Sequence, residues 1–411
     1  MKPADPPSPP VSAVRGEIVH FLADPAHHAH ALEHFADGVL VVRDGHVAEC
    51  GPAAELLPRL PAGTPLADHR GRLILPGFVD THVHYPQTDI IASHGEQLLE
   101  WLEKYTFPAE QRFADPAHAA EVAGFFCDEL LRNGTTTAAA FATVHPASVD
   151  ALFEAAQARR MRMITGKVLM DRNCPDFLRD SAETGYAASK ALIERWHDRG
   201  RLLYAVTPRF APTSTPAQMR LAGQLLREHP GVFLQSHLAE NRAEVAWVAQ
   251  LHPEARSYLD VYAHAGQLGM RAVFAHCLWL DDADRRRMAE AGAAMSFCPT
   301  SNLFLGSGLF DLRRAHELGV RVGLGTDVGG GTSFSMLQTL NEAYKVLQLG
   351  GQSLSAAGAF HLATLGGAHS LYLDDRIGNF MPGKEADFVV LDPRATPLLA
   401  RRSAACATLE E

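Results

Sequence analysis

The sequence predicts an α/β protein: a TIM-type (β/α)8 barrel carrying a small β-sandwich domain formed from both chain ends. Three observations predict it. Strand-like apolar runs alternate with amphipathic helical stretches through the middle of the chain, the pattern of parallel βα units. Short strands broken by turns occupy residues 13–73 and recur over 376–411. Histidines and one aspartate stand at the carboxyl ends of central strands, the end at which such a barrel holds its active site.

Residues 1–12 open with Met1-Lys-Pro-Ala-Asp-Pro-Pro-Ser-Pro-Pro10, too proline-rich for a helix and without the apolar core of a signal peptide. A disordered leader is expected there. In the next segment, Gly38-Val-Leu-Val-Val-Arg-Asp44-Gly45-His-Val-Ala-Glu reads as a hairpin, because Asp-Gly supplies the positive φ of a tight turn. Met381-Pro-Gly-Lys-Glu-Ala-Asp387-Phe-Val-Val-Leu-Asp392 supplies a further turn and strand. The two ends are therefore assigned to one small β domain.

Residues 74–375 are assigned to the barrel. Its strands are expected at Ile74–His84, Thr135–Thr143, Met163–Leu169, Leu202–Arg209, Val232–His237, Ala272–His276, Ala293–Phe297 and Val320–Asp327. Helices such as Ala117–Arg132 and Val149–Arg159 lie between them. A doubly wound sheet would need a glycine-rich turn after an early strand. The nearest cluster, Gly329-Gly-Gly331, follows the eighth strand and lacks that spacing.

The net charge of −10 is spread with mixed signs over 411 residues, and no basic run of the kind that tracks phosphates is present. A nucleic-acid surface is not expected. Apolar runs fall short of the ~18 residues of a membrane span, so a soluble protein without a membrane partner is expected. Cys50, Cys127, Cys174, Cys277, Cys298 and Cys406 are scattered with no Cys-x-x-Cys pair, which suits reduced thiols in a cytoplasmic protein.

The chemistry begins at Thr81-His82-Val-His84. Residues i and i+2 of a strand project to one face, so His82 and His84 can bind one ion without distorting the backbone. Such a pair is weak evidence alone in a chain with 21 histidines. Three further groups follow in chain order: His237 in Phe233-Leu-Gln-Ser-His237, His276 in Ala272-Val-Phe-Ala-His276, and Asp327 in Val322-Gly-Leu-Gly-Thr-Asp327. His82, His84, His237, His276 and Asp327 together suit one catalytic zinc ion per chain with an open position for water; iron fits nearly as well.

Glu240 stands three residues past His237, where a carboxylate can carry a proton between water and a leaving group. The competing reading is a surface glutamate opening the next helix. Asp327 has two roles open to it, ligand and second proton acceptor. Arg209 and Phe210 follow the fourth strand; an arginine offers a rigid fork of donors and an aromatic can stack on a flat ring. A rim salt bridge with Phe210 in the core fits their spacing equally. Lys167, the one lysine in a central strand, lies short of that strand's carboxyl end, which favours one metal over a lysine-bridged pair. Cys277 and Cys298 read as small hydrophobes, and His27-His28-Ala-His30 as an exposed loop cluster. The Pro-Cys-x-x-Cys pattern of the cysteine-based zinc deaminases is absent.

The ligand set resembles that of the amidohydrolase superfamily over most of the chain. The closer likeness, to its guanine-deaminating branch, is carried by Pro76-Gly-Phe-Val-Asp-Thr-His82-Val-His84-Tyr-Pro-Gln87, Gly95-Glu-Gln-Leu-Leu-Glu-Trp101, Tyr105-Thr-Phe-Pro-Ala-Glu110, Gly166-Lys-Val-Leu-Met-Asp-Arg-Asn173, Thr207-Pro-Arg-Phe-Ala-Pro-Thr213, Ser236-His-Leu-Ala-Glu-Asn241 and Gly325-Thr-Asp-Val-Gly-Gly330. The resemblance implies hydrolytic deamination of guanine to xanthine and ammonia by a metal-activated water, in a cytosolic homodimer. It implies that Glu240, His276 and Asp327 are catalytic. It also implies that His84, Tyr85, Pro86, Gln87, Arg209, Phe210, His237, Glu240 and Asp327 contact the purine. An aminohydrolase or chlorohydrolase acting on an oxidised guanine, a pyrimidine or a triazine is the alternative within the superfamily. A non-catalytic barrel scaffold is the more remote one, since all five ligand candidates are present. The family usually continues past the equivalent of Asp392 with further strand-forming sequence, so a small domain incomplete at its carboxyl end is also expected.

Overall fold

The computed structural model describes residues 11–405. The proline-rich stretch 1–10 and Cys406 lie outside the described residues. Val11 and Ser12, assigned above to the leader, instead begin the first strand.

In chain order the strands are β1 (Val11–Phe21), β2 (Leu32–Arg43), β3 (His46–Pro52), β4 (Leu66–Pro76), β5 (Phe78–His84), β6 (Thr135–Phe141), β7 (Arg162–Gly166) and β8 (Val168–Leu169). They continue with β9 (Leu202–Pro208), β10 (Phe233–Leu238), β11 (Ala272–His276), β12 (Ala294–Phe297), β13 (Arg321–Leu324) and β14 (Phe388–Leu391). The chain divides into two units. Of the described residues, one takes 11–78 together with Ser355–Ala368 and 373–405; the other takes Val79–Leu354 and His369–Tyr372.

The first unit contains a five-stranded mixed sheet in the order β14-β4-β1-β2-β3, so both chain ends contribute to it. Among the described residues its strands form one sheet. The β2–β3 hairpin turns at Asp44 and Gly45, with φ of 51° and 75°, as the Asp-Gly pair predicts. Alternation along the strands buries both faces: Val14, Ile18, Leu40 and Ile74 pack with Phe380, while Ala13, Val39 and Val41 pack with Ala53 and Leu56.

One expected element changes identity here. The apolar run 74–84 is not one barrel strand. Ile74 pairs with Ile18 and Val390 in the small sheet, Pro76 ends β4, and the barrel strand starts at Phe78. Both pieces are buried, so hydrophobicity runs through the join without marking the change of partner.

In the second unit β5, β6, β7, β9, β10, β11, β12 and β13 lie side by side in that order, each crossover carrying helical turns. The chain after β13 returns to β5, with Asp327 N–H donating to His82 O (2.9 Å) and His84 N–H to Val328 O (2.8 Å). This is the TIM-type barrel the sequence predicts. Regular strand geometry ends earlier than expected at 324, opposite the last residue of β12, and Asp327 beyond it takes a left-handed backbone (φ 52°).

Strand β7 likewise ends at Gly166, where a Cβ would fall 1.8 Å from Ala205 O, so only glycine allows β9 to come this close. Lys167 therefore sits in the one-residue break between β7 and β8, both of which pair with β9, and so still short of the carboxyl end of the expected strand. Its buried ammonium pairs with partly buried Asp180 and reaches Val168 O at 3.1 Å. The two helices expected between strands are present as Pro116–Arg132 and Pro146–Ala158. Among the described residues, no helix is long and apolar enough to cross a membrane.

Candidate active site and metal centre

The carboxyl ends of β5, β10 and β11 and the loop after β13 bring four groups together. One ligand atom from each of His82, His237, His276 and Asp327 lies within 4.8 Å of the others. His84, two residues from His82 on the same strand, joins them: its Nε2 is 3.2 Å from His82 Nε2, 3.1 Å from His237 Nε2 and 3.3 Å from Asp327 Oδ1. All five expected ligands thus converge.

Neighbouring groups fix which ring nitrogen faces inward. Arg209 O lies 2.7 Å from His237 Nδ1, and Asn302 Oδ1 lies 2.9 Å from His276 Nδ1. Both oxygens are taken as acceptors, so each Nδ1 carries the proton and each Nε2 turns a lone pair to the centre. Burial pushes His84 down to about 3 and His237 well below the usual histidine value. Burial alone would raise the Asp327 carboxyl, but the imidazoles of His82, His84 and His276 outweigh it and hold it well below the carboxylate range. Imidazole nitrogens facing one another beside an ionised carboxylate form a donor set that fits a divalent cation, and this nitrogen–oxygen set suits zinc or iron.

The backbone pays local conformational strain at this place. His276 and Asp327 have φ of 70° and 52°, a region L-residues seldom enter and one that concentrates at functional sites. Gly325 lets the last strand approach β5: a Cβ there would meet Ser296 Oγ at 2.7 Å and His82 Cβ at 2.9 Å.

Glu240 is buried against the cluster, not exposed on a helix. Asn241 caps the helix Arg242–Leu251 and forms a capping box with Glu244, so Glu240 falls just before the helix. Glu244, itself buried, accepts the N–H groups of Glu240 (2.8 Å) and Asn241 (3.0 Å) and the Tyr258 hydroxyl (2.7 Å). The Glu240 carboxyl lies 3.3 Å from His276 Nε2 and accepts from the Ser307 hydroxyl at 3.2 Å. Burial, reinforced by Asp327, pushes it up to about 8.

A cavity opens over the cluster. His84, Gln87, Arg209, Phe210, His237, Glu240, His276 and Asp327 line it, together with Leu98, Trp101, Leu102, Leu305 and Gly330. Two expected purine contacts do not line it. Tyr85 turns into the core, its hydroxyl donating to Ser148 O (2.8 Å) and its ring lying edge-on to Phe113; Pro86 is also absent from the lining. The chain enters a 3-10 turn, Tyr85–Ile90, directly after β5, and its period of three returns Gln87, not Tyr85 or Pro86, to the side of His84.

Arg209 combines the two readings left open by spacing. It lines the cavity, and its Nη1 donates to both carboxylate oxygens of buried Glu110 at 2.8 Å. Phe210 is buried and also lines the cavity. Glu110, Asn302, Ser307 and Trp101 were not expected at the site. Only the pairing of Phe107 and Glu110 at i, i+3 on one helical face offered a local signal for any of them.

Comparison with known proteins agrees with this architecture. Residues 73–409 match the model of the amidohydrolase family. The guanine deaminase of Escherichia coli (strain K12) is 56% identical over 94% of this chain and 89% of its own length. The solved E. coli guanine deaminase superposes with a TM-score of 0.95 at 55% identity, covering 97% of this chain and 93% of that one. A guanine deaminase from C. acetobutylicum with bound guanine in its active site has a TM-score of 0.84 at 30% identity, covering 92% and 90%. With the ligand-bearing strand ends in place and the match spanning the barrel, the chain belongs to the amidohydrolase family.

Proposed function

We propose that this chain is a guanine deaminase, converting guanine and water to xanthine and ammonia, with one zinc ion per chain. The observation that carries the reading is one cavity with two kinds of lining. His84, His237, His276 and Asp327 of the cluster line it with Glu240, and so do Arg209, Gln87 and Phe210. The similarity to relatives named guanine deaminase, one solved with guanine in its active site, supports the same substrate.

His82, His84, His237, His276 and Asp327 would hold the cation. When bound, the ion supplies Lewis acidity for activating the attacking water. The chain's own residues do the rest. Glu240, whose carboxyl burial pushes up to about 8, takes the first proton of the attacking water to ring N3, and the second, from the hydroxyl added at C2, to the departing amine as the C2 carbonyl forms and the C–N bond breaks. His276 and Asp327 orient the water toward C2 of the ring. Arg209 donates to the C6 oxygen, Gln87 completes that edge, and Phe210 stacks on the ring. The apolar side chains of Leu98, Trp101 and Leu102 line the same cavity, where they shield the ring from bulk water and strengthen these contacts.

Ammonia release by the metal-loaded protein, measured over guanine, adenine, 8-oxoguanine, cytosine and a triazine, tests the proposal. Efficient turnover of guanine alone is expected; preference for any other ring overturns it. A cytoplasmic homodimer belongs to the same reading, and sedimentation of the purified protein tests the dimer.

A further inference from the structure

We propose that Glu110 is a positioning residue which holds Arg209 as a fixed fork, and so decides that the pocket accepts a ring edge bearing an oxygen. This rests on the functional reading above, in which Arg209 faces the C6 oxygen.

The argument starts from the cost of a buried guanidinium. The side chains of Arg209 and Glu110 are 3% and 0% exposed, so each charge needs the other. Glu110 approaches from one end only. Both its oxygens lie 2.8 Å from Nη1, and among the described residues no protein group accepts from Nε or Nη2. The carboxylate thus neutralises the arginine while leaving its other donors for the cavity that Arg209 lines.

The same helical turn supplies a second restraint. Phe107, three residues before Glu110 in the helix Phe107–Gln111, lies under the guanidinium, with Cζ 5.5 Å from the ring centroid. Ring and carboxylate together set the plane and the rotation of the fork. Glu110 also faces the other polar wall group. Gln87 Oε1 accepts from Gly329 N–H at 3.1 Å, which turns its amide nitrogen toward Glu110 Oε1 at 3.5 Å. One carboxylate therefore orients both donors proposed to read the purine edge.

A residue that merely balanced charge would affect all ligands of the pocket alike. A positioning residue affects only ligands that use the fork. The test compares hypoxanthine, which keeps the C6 oxygen and lacks the amino group, with unsubstituted purine, which lacks both. Inhibition constants are measured on the metal-loaded parent, Glu110→Gln, Arg209→Met and the double variant, with metal content and a melting curve for each.

Hypoxanthine binding by Glu110→Gln should weaken about tenfold or more, the scale of one misplaced charge-assisted hydrogen bond. Purine binding should move less than about twofold, and adding Glu110→Gln to Arg209→Met should cost nothing further, since coupled residues are not additive. Equal loss for both ligands overturns the inference. So does unchanged hypoxanthine binding, full additivity in the double variant, or a parent that does not bind hypoxanthine. Should Glu110→Gln fail to fold, Glu110→Asp keeps the charge but shortens its reach, and is read by the same selective loss. Failure of the parent to release ammonia from guanine would strike the functional reading separately, because the coupling is read from binding alone.

Discussion

Asp80 on β5 accepts both the backbone N–H (3.1 Å) and the hydroxyl of Thr326, the residue before Asp327. The same carboxylate accepts His82 N–H at 3.2 Å. One buried side chain thus ties the first and last ligand-bearing segments of the barrel, which no regular strand ladder joins among the described residues. Thr326→Val keeps the shape and removes the hydroxyl donor. It should lower stability by about 1–3 kcal/mol, the cost of stripping a partner from a buried polar group. An unchanged urea midpoint would show that the contact is dispensable.

The ligand assignment predicts metal loss. His82→Ala and His237→Ala should each bind much less metal than the parent and show no measurable turnover, because the remaining donors no longer surround the ion. Elemental analysis decides this: full occupancy in both variants sinks the assignment.

Glu240→Gln separates proton transfer from metal binding. The amide keeps the side chain's size and its acceptor for Ser307, but cannot carry a proton. Metal content should stay near that of the parent while the rate falls at least ~100-fold, the usual scale of general acid–base help. Near-normal turnover would remove Glu240 from the mechanism.

Ring selectivity follows from Arg209, which can only donate. Adenine presents an amino donor where guanine presents its C6 oxygen, so no useful turnover of adenine is expected. Arg209→Ala should lose most guanine turnover and keep its metal, whereas Phe210→Ala should chiefly raise KM through lost stacking. A parent that uses both purines equally, or an Arg209→Ala variant as active as the parent, contradicts this orientation.

Glu244 predicts a pH dependence of stability. Burial, reinforced by Glu240, raises its carboxyl from 4.5 to about 7. Because the folded value lies above the unfolded one, the fold favours the protonated form. Glu244 therefore contributes most stability below pH 4.5, and that contribution is lost as pH rises toward 7. Glu244→Gln should flatten this decline by at most about one proton in the slope of stability against pH. Parallel curves for parent and variant between those limits would refute the link.

Much of the site was legible because its pieces obey short-range rules. The i, i+2 spacing of His82 and His84 puts both on one face of β5, and barrel topology gathers the strand ends that carry His237, His276 and Asp327. Glu240 was legible from its distance to His237. Its surroundings were not: Ser307 reaches it from 67 residues away, and Asn302 reaches His276 from 26. Glu110 meets Arg209 across 99 residues, and the i, i+3 spacing of Phe107 and Glu110 gives their shared face but not the arginine they meet.

The sequence by itself therefore determined the fold class, the alternation of strands and helices, and which side chains bring donors to the strand ends. Tertiary structure alone decided that the run 74–84 divides between two units, that Tyr85 faces the core while Gln87 faces the cavity, and that Arg209 is held by Glu110. The physical reason is range. Periodicity records which face of an element is buried, but not which distant element covers it. Pairing between buried charges is set by packing across the barrel, where neighbours in space are strangers in sequence.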